Sequence, residues 1–363
     1  MMKYFNLLLA LCVLFSFSAC KKKSTALENY DRGTLLKSLA DNTIAPAYNN
    51  FSVQADSLYA TAVLFAQTNA LNDLAKVVTQ WQHTVDAWQQ CEPYNIGYVR
   101  DNSVGAQIAS FPSNNLVIES EIAGTSTIDE NYIAATGTTR KGLSAVEYLI
   151  FGTSGNTSAV QDSFANSLRR KAYLVALCAH IKTVAHSVKA EWNGGASYNY
   201  FTTQTQMDIS GALNQFVNAL VEHIEFVRKS KVGKPCGVEP GATADYSKLE
   251  NRYAPRSLEN IKHNIAAWRA CFAISNATGI NNYADAVDAT YNGEKLSVVI
   301  LNQLDACMAK ANAINGSLES AAQNNVNTVK ELHLELKKLT VLTKVDLSSS
   351  LGVVITFSDN DGD

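Results

Sequence analysis

The chain has 363 residues, 47% of them hydrophobic, with 30 basic and 33 acidic side chains and a net charge of −3. This balance carries no clustered positive charge of the kind nucleic-acid binders need. Beyond a short leader, about 340 residues exceed what one simple helical core usually covers, so two subdomains are expected.

The chain opens with Met1-Met2-Lys3, an apolar run from Phe5 to Ala19, and then Cys20. A run of this length reads as a secretory signal over residues 1–19, since a transmembrane helix needs about 20 apolar residues and different flanks. Phe17-Ser18-Ala19-Cys20 looks like a lipobox, with small residues before a cysteine that becomes the lipidated N-terminus. The expected mature chain starts at Cys20 with 29 basic against 33 acidic residues. It is tethered through residues 20–29 and held on a membrane by its lipid. Lys21-Lys22-Lys23 reads as a solvated stretch near anionic head groups.

Helical periodicity dominates the rest. Leu74, Val77, Val78, Trp81, Val85 and Trp88 recur every three or four residues until Pro93 stops the run. Leu174 to Trp192 repeats the pattern before Gly194-Gly195, and Ile209 to Val227 makes a third stripe. Leu258, Ile261, Ile265, Trp268 and Phe272 form a fourth, with Ser257 placed to cap it. Val326 to Leu339 forms the last. Stripes this wide belong to bundle helices, so the predicted fold is all-α.

Three stretches interrupt them. Residues 94–140 predict a long connection with short helices. Residues 193–207 form the best domain boundary, giving an N-terminal bundle over 30–200 and a C-terminal bundle over 201–363. Residues 229–256 carry too many Gly and Pro for one helix. Leu351 to Phe357 alternates and predicts a short strand-like tail, and Asp359-Asn360-Asp361-Gly362-Asp363 reads as a solvated acidic terminus. The spacings of Cys91, Cys178, Cys236, Cys271 and Cys307 fix no disulfide and no zinc pattern. Cys178, Cys271 and Cys307 fall inside apolar patterns and read as small core residues.

Two carboxylates stand out. Gly142 to Gly152 reads as one short helix, apolar on almost every side, with Glu147 as its single charge. An ionised Glu is expensive to bury alone, and Ser144 lies three residues earlier on the same face. Glu92 follows Trp81, Val85 and Trp88 at the end of their stripe, either as a partly exposed helix-end residue or as part of a buried polar site. Two carboxylates brought together between helices hold a hard cation or share a proton, which makes Glu147 and Glu92 the candidate metal ligands. Arg252 and Arg256 are either their charge partners or exposed loop residues. His223 falls on the apolar face of Phe216, Leu220 and Val227, as a hydrogen-bonded core residue or a ligand. His83, His180, His186, His263 and His333 form no set. There is no H-E-x-x-H, nucleophile elbow, phosphate loop or dinucleotide fingerprint.

Gly142-Leu143-Ser144-Ala145-Val146-Glu147 resembles the G-x-H-x-x-E signature of the imelysin family, with Ser144 at the histidine position. Trp88-Gln89-Gln90-Cys91-Glu92-Pro93-Tyr94, followed by Gly97, is similar to the family's W-x-x-x-E-P-[FY] stretch. Lys231 to Pro235 and Glu250 to Leu258 resemble its second-half segments, in family order. The resemblance implies two packed helical bundles with a site where they meet, lined by Gly142, Ser144, Glu147, Glu92 and Trp88. It also implies a lipid-anchored protein of the cell envelope, expected on the outer membrane facing periplasm or exterior. The function it implies is iron or haem uptake with envelope partners, and iron or another divalent metal is the implied cofactor. Serine is a poor iron ligand, and a hydrolytic metal needs three protein ligands. A non-enzymatic binding component is therefore expected ahead of a metallopeptidase of the imelysin type, with an envelope scaffold or surface-interaction lipoprotein as a third reading.

Overall fold

Each apolar stripe buries one face of a helix, and the helices pack stripe to stripe. The computed structural model describes residues 26–357. The expected signal peptide, the Cys20 anchor, the Lys21-Lys22-Lys23 run and the acidic terminus lie outside the described residues, whereas residues 26–29 of the expected tether are helical.

Helices α1 (Ala45–Thr68), α2 (Leu71–Cys91) and α5 (Leu168–Trp192) pack side by side. Pro46 opens α1, where its missing N–H is no loss. Asn69, in the left-handed conformation, closes α1 by returning its N–H to Phe65 O. Inside, the Phe51 ring meets Trp88 at 5.2 Å and Tyr48 stacks on Trp192 at 6.2 Å. Two shorter helices, α3 (Val104–Ala109) and α4 (Gly142–Phe151), pack on each other, and α4 also packs on α2 and α5.

The second group comprises α6 (Ala212–Phe226), α7 (Ser257–Phe272), α8 (Leu296–Asn312) and α9 (Val326–Val341). Here α7 packs on α8, α8 on α9, and α9 on α6. The two Trp-bearing helices, α2 and α7, pack directly on each other and join the two groups. Trp81, Trp88, Trp192 and Trp268 are all fully buried. Each contributes roughly 2–3 kcal/mol of hydrophobic stabilisation.

Several local expectations give way to specific chemistry. Ile209 lies outside its predicted helix and is 61% exposed, because α6 starts only at Ala212. Ser257 is the first helical residue of α7 rather than its cap, and its hydroxyl donates to Glu250 O. The boundary stretch 193–207 contains a helix, Ala196–Thr203. No strand forms at the C-terminal tail. Instead the Asn218 side chain stands in for a neighbouring strand, donating to Val354 O (2.8 Å) and accepting from Thr356 N–H (2.8 Å). Among the described residues the single sheet is a hairpin of β1 (Thr290–Tyr291) and β2 (Glu294–Lys295), pairing Thr290 with Lys295 and Tyr291 with Glu294. Its turn is Asn292-Gly293, both at positive φ, a pair suited to a two-residue hairpin. Cys91, Cys178, Cys236, Cys271 and Cys307 are buried free thiols. No described helix is long and apolar enough to cross a membrane.

Candidate functional site

The first turn of α4 is held by two contacts that aim its polar residues inward. Gly142 sits at φ +78°, and a Cβ there would lie 2.4 Å from Ile108 O and 2.7 Å from Gln107 O, so α4 approaches the end of α3 only because this residue has no side chain. Trp81 then donates its indole N–H to Leu143 O at 2.9 Å.

Glu147 is buried on this helix and meets the loop preceding α7. Its carboxylate accepts from Ala254 N–H (2.9 Å) and from Asn251 Nδ2 (3.2 Å). Asn251, in a left-handed conformation that Asn tolerates, is oriented in turn by Asn260 of α7, whose amide donates to Asn251 Oδ1 at 2.7 Å. Burial pushes the Glu147 carboxyl up to about 7, against the opposing pull of the Ala254 and Asn251 hydrogen bonds. Ser144 and Glu147 line a cavity of about 20 Å³ with Pro112, Asn251 and Tyr253. That is room for about one water. Among the described residues nothing hydrogen-bonds the Ser144 hydroxyl, although the residue is buried.

Glu92 terminates α2 in different company. Directly after α6 the chain makes a wide π-helical turn, Val227–Gly233, which carries Lys231 into the interior. Its ammonium meets Gln89 Oε1 (2.6 Å), Glu92 Oε2 (2.6 Å), Glu250 Oε2 (3.0 Å) and Asn264 Oδ1 (3.1 Å). Gln89 also donates to Glu250 Oε1 at 2.9 Å, and Asn264 donates to Glu92 Oε2 at 3.2 Å. His223 Nε2 lies 3.1 Å from Glu92 Oε2. Trp268 donates its indole N–H to His223 Nδ1 at 2.9 Å, which places the imidazole proton on Nε2, facing Glu92. Burial drives the His223 pKa down against the pull of Glu92, favouring that neutral form. For Glu92 burial works upward but is overcome by the Lys231 charge and the His223 hydrogen bond, so its carboxyl stays below the usual range. Lys231 stays charged because Glu250 and Glu92 outweigh its desolvation.

Above Glu92 opens a groove of about 530 Å³. Its walls are the α3 face with Ala106 and Ala109, the Phe111-Pro112 corner, Phe226 at the end of α6, and Pro235. The Phe111 and Phe226 rings lie with centroids 6.2 Å apart, tilted by 59°, and Phe226 is 36% exposed. Lys234 and Lys248 also line the groove.

The five residues taken from the sequence therefore divide. Ser144 and Glu147 line one small pocket, Gly142 does not line it but seats the start of their helix, and Glu92 belongs to a separate network that shares no hydrogen-bond donor with that pocket. Trp88 packs against Phe51 in the core and lines neither cavity. The two arginines are engaged elsewhere: Arg252 forms a two-pronged bridge to Glu319 (2.9 and 3.0 Å), and Arg256 pairs with Asp86. His223 is a hydrogen-bonded core histidine, and it also serves Glu92.

The donors do not suit a bare divalent ion. Beside Ser144 stand one carboxylate that holds its proton to near neutrality, a hydroxyl and an amide. At Glu92 an ammonium already fills the centre of the oxygen set. Among the described residues no three His, Cys, Asp or Glu side chains are arranged to hold a metal. Sequence reasoning missed Gln89, Lys231, Glu250, Asn251, Asn260 and Asn264 as site residues. The available signal was Asn260 and Asn264, spaced by four on the apolar face of α7.

The family model described as imelysin matches residues 44–342. Among solved structures, an imelysin-like protein from Psychrobacter arcticum 273-4 aligns with a TM-score of 0.69 at 18% identity, covering 93% of this chain and 98% of that one. A protein described as an iron-regulated protein A precursor, from Parabacteroides distasonis ATCC 8503, aligns with a TM-score of 0.71 at 14% identity, covering 88% and 94%. At these identities the likeness establishes the fold. No curated protein matches the sequence.

Proposed function

The chain belongs to the imelysin family, and on that premise we propose that it is a lipid-anchored envelope protein that binds, without chemical turnover, an organic iron complex such as haem. The reading rests on one contrast in volume. The motif pocket at Ser144 and Glu147 offers about 20 Å³, whereas the groove over Glu92 offers about 530 Å³ with apolar walls. A bare ion would have to use the first, which lacks imidazole; an apolar ligand body fits the second. The description of the Parabacteroides relative as iron-regulated supports the connection with iron. In this reading Cys20 carries the anchor, and the outer membrane is its place.

The test is a titration of the mature chain with haem and, separately, with ferrous iron. Haem should bind saturably at one per chain and perturb its absorption band, while ferrous iron should show no stoichiometric site. Stoichiometric ferrous iron lost in Glu147→Ala would restore the metallopeptidase reading. Binding of neither would leave the scaffold reading, in which the polar networks serve packing alone.

A further inference from the structure

The groove over Glu92 is lined by charges of both signs, Glu92 against Lys234 and Lys248, with hydroxyls from Ser110, Thr139 and Ser230. At its floor, the three donors that reach Glu92 from Lys231, His223 and Asn264 all converge on Oε2. Among the described residues Oε1 takes no hydrogen bond, and the side chain, 12% exposed, lines the groove. That oxygen is therefore free to accept from a ligand in the groove that the side chain lines. Lys234 also lines the groove. Its neighbour in the groove, Lys248, is bridged to Asp245 at 3.3 Å, whereas Lys234 has no acidic partner among the described residues. Between these points the lining is Ala106, Ala109, Phe111, Pro112, Phe226 and Pro235, which offer no charge.

We infer that the groove selects an amphipathic ligand with a flat apolar body, presenting a proton donor or cationic centre to Glu92 Oε1 and an anionic group to Lys234. The inference rests on the groove being the binding site, as proposed above, and it adds the polarity of the ligand. A neutral lipid tail satisfies neither end. A simple dianion is opposed by Glu92, and a bare cation by Lys234. Phe111 and Phe226, tilted by 59° to each other, add aromatic edges and faces on which a flat unsaturated body can stack.

Three dyes of nearly equal shape separate these contributions. Anilinonaphthalene sulfonate has the apolar body, an N–H donor and an anion; phenylnaphthylamine has the body and the N–H alone; phenylnaphthalene has only the body. Fluorescence titration of the mature chain should rank them in that order, each step worth roughly tenfold in affinity, the size expected of a hydrogen bond or ion pair to a charged group in a partly dry site. Lys234→Glu, at an exposed position that leaves the fold alone, should weaken the sulfonate by about tenfold and leave the amine unchanged. Ala109→Phe, or Ala106→Phe should the first not fold, should abolish all three by filling the groove.

Equal loss of sulfonate and amine in Lys234→Glu, or no loss in either, overturns the assignment of the anion. Equal affinity for amine and hydrocarbon overturns the role of Oε1. Dye binding that survives both groove-filling variants overturns the site itself. Haem failing to bind while the dyes follow the expected order would remove the iron reading and leave the ligand class standing.

Discussion

Glu147 and Glu92 both enter the junction between the helix groups from apolar helices, and both are drawn from motif segments, yet their surroundings treat charge in opposite ways. Glu147 is met by neutral partners alone, a backbone N–H and an amide, so burial dominates and its carboxyl rises to about 7. Glu92 is met by an ammonium at 2.6 Å, and the same burial is overcome. A buried acid keeps its charge only where an opposite charge was buried with it. The groove has an ionised floor for this reason, while burial pushes the carboxyl of the motif pocket up to about 7.

Removing the ammonium should break the contrast most severely. Lys231→Met leaves Glu92 and Glu250 buried without compensation, which is expected to lower stability by about 3–5 kcal/mol in urea unfolding at pH 7. Lys234→Met, one helical turn on and exposed, should change it by less than about 0.5 kcal/mol. A loss below about 1 kcal/mol in Lys231→Met would show that another charge balances Glu92.

The two carboxylates should also give opposite pH signatures. Glu147 has a folded pKa of about 7 against a reference of 4.5, so its contribution is full below pH 4.5 and is lost as pH rises to about 7. At about 1.36 kcal/mol per unit, Glu147→Gln should gain roughly 3 kcal/mol on wild type between pH 4.5 and 8. Glu92 has a lowered pKa, so its contribution is full above 4.5 and is lost as pH falls. The deficit of Glu92→Gln should therefore shrink only in acid. Urea midpoints taken from about pH 2 to 8 cover both windows and decide the matter, and parallel profiles for the two variants would refute the distinction.

The smallest effect concerns the serine at the motif's histidine position. Since nothing among the described residues hydrogen-bonds the Ser144 hydroxyl, Ser144→Ala should shift stability by no more than about 0.5 kcal/mol in thermal unfolding. A loss of 2 kcal/mol would reveal a hydrogen bond held through solvent in the small cavity.

Periodicity made the helices around Trp81, Ile181, Leu220, Trp268 and Leu332 legible, because burial of one face leaves a repeat that composition cannot hide. It also marked Glu147 and Glu92, each as a charge interrupting an apolar run. It could not show that they part company, since their partners come from Lys231, Glu250 and Asn251, in stretches with no repeat to follow. Lys231 is the clearest case: a π-helical turn directs it inward, and a lysine beside Ser230 and Gly233 otherwise reads as surface. The tail was read as a strand from its alternation, but a strand needs a partner, and here a single asparagine amide serves in its place.

The oxygen set around Lys231 has the composition of a small coordination sphere: two carboxylates and two amide oxygens converging on one positive centre. That centre is tied to the backbone by a four-carbon stem and cannot be exchanged, diluted or chelated. A dissociable ion at the same point would couple the integrity of the junction to its supply in the surrounding medium. With the cation encoded in the chain, the junction holds its shape when metals are scarce.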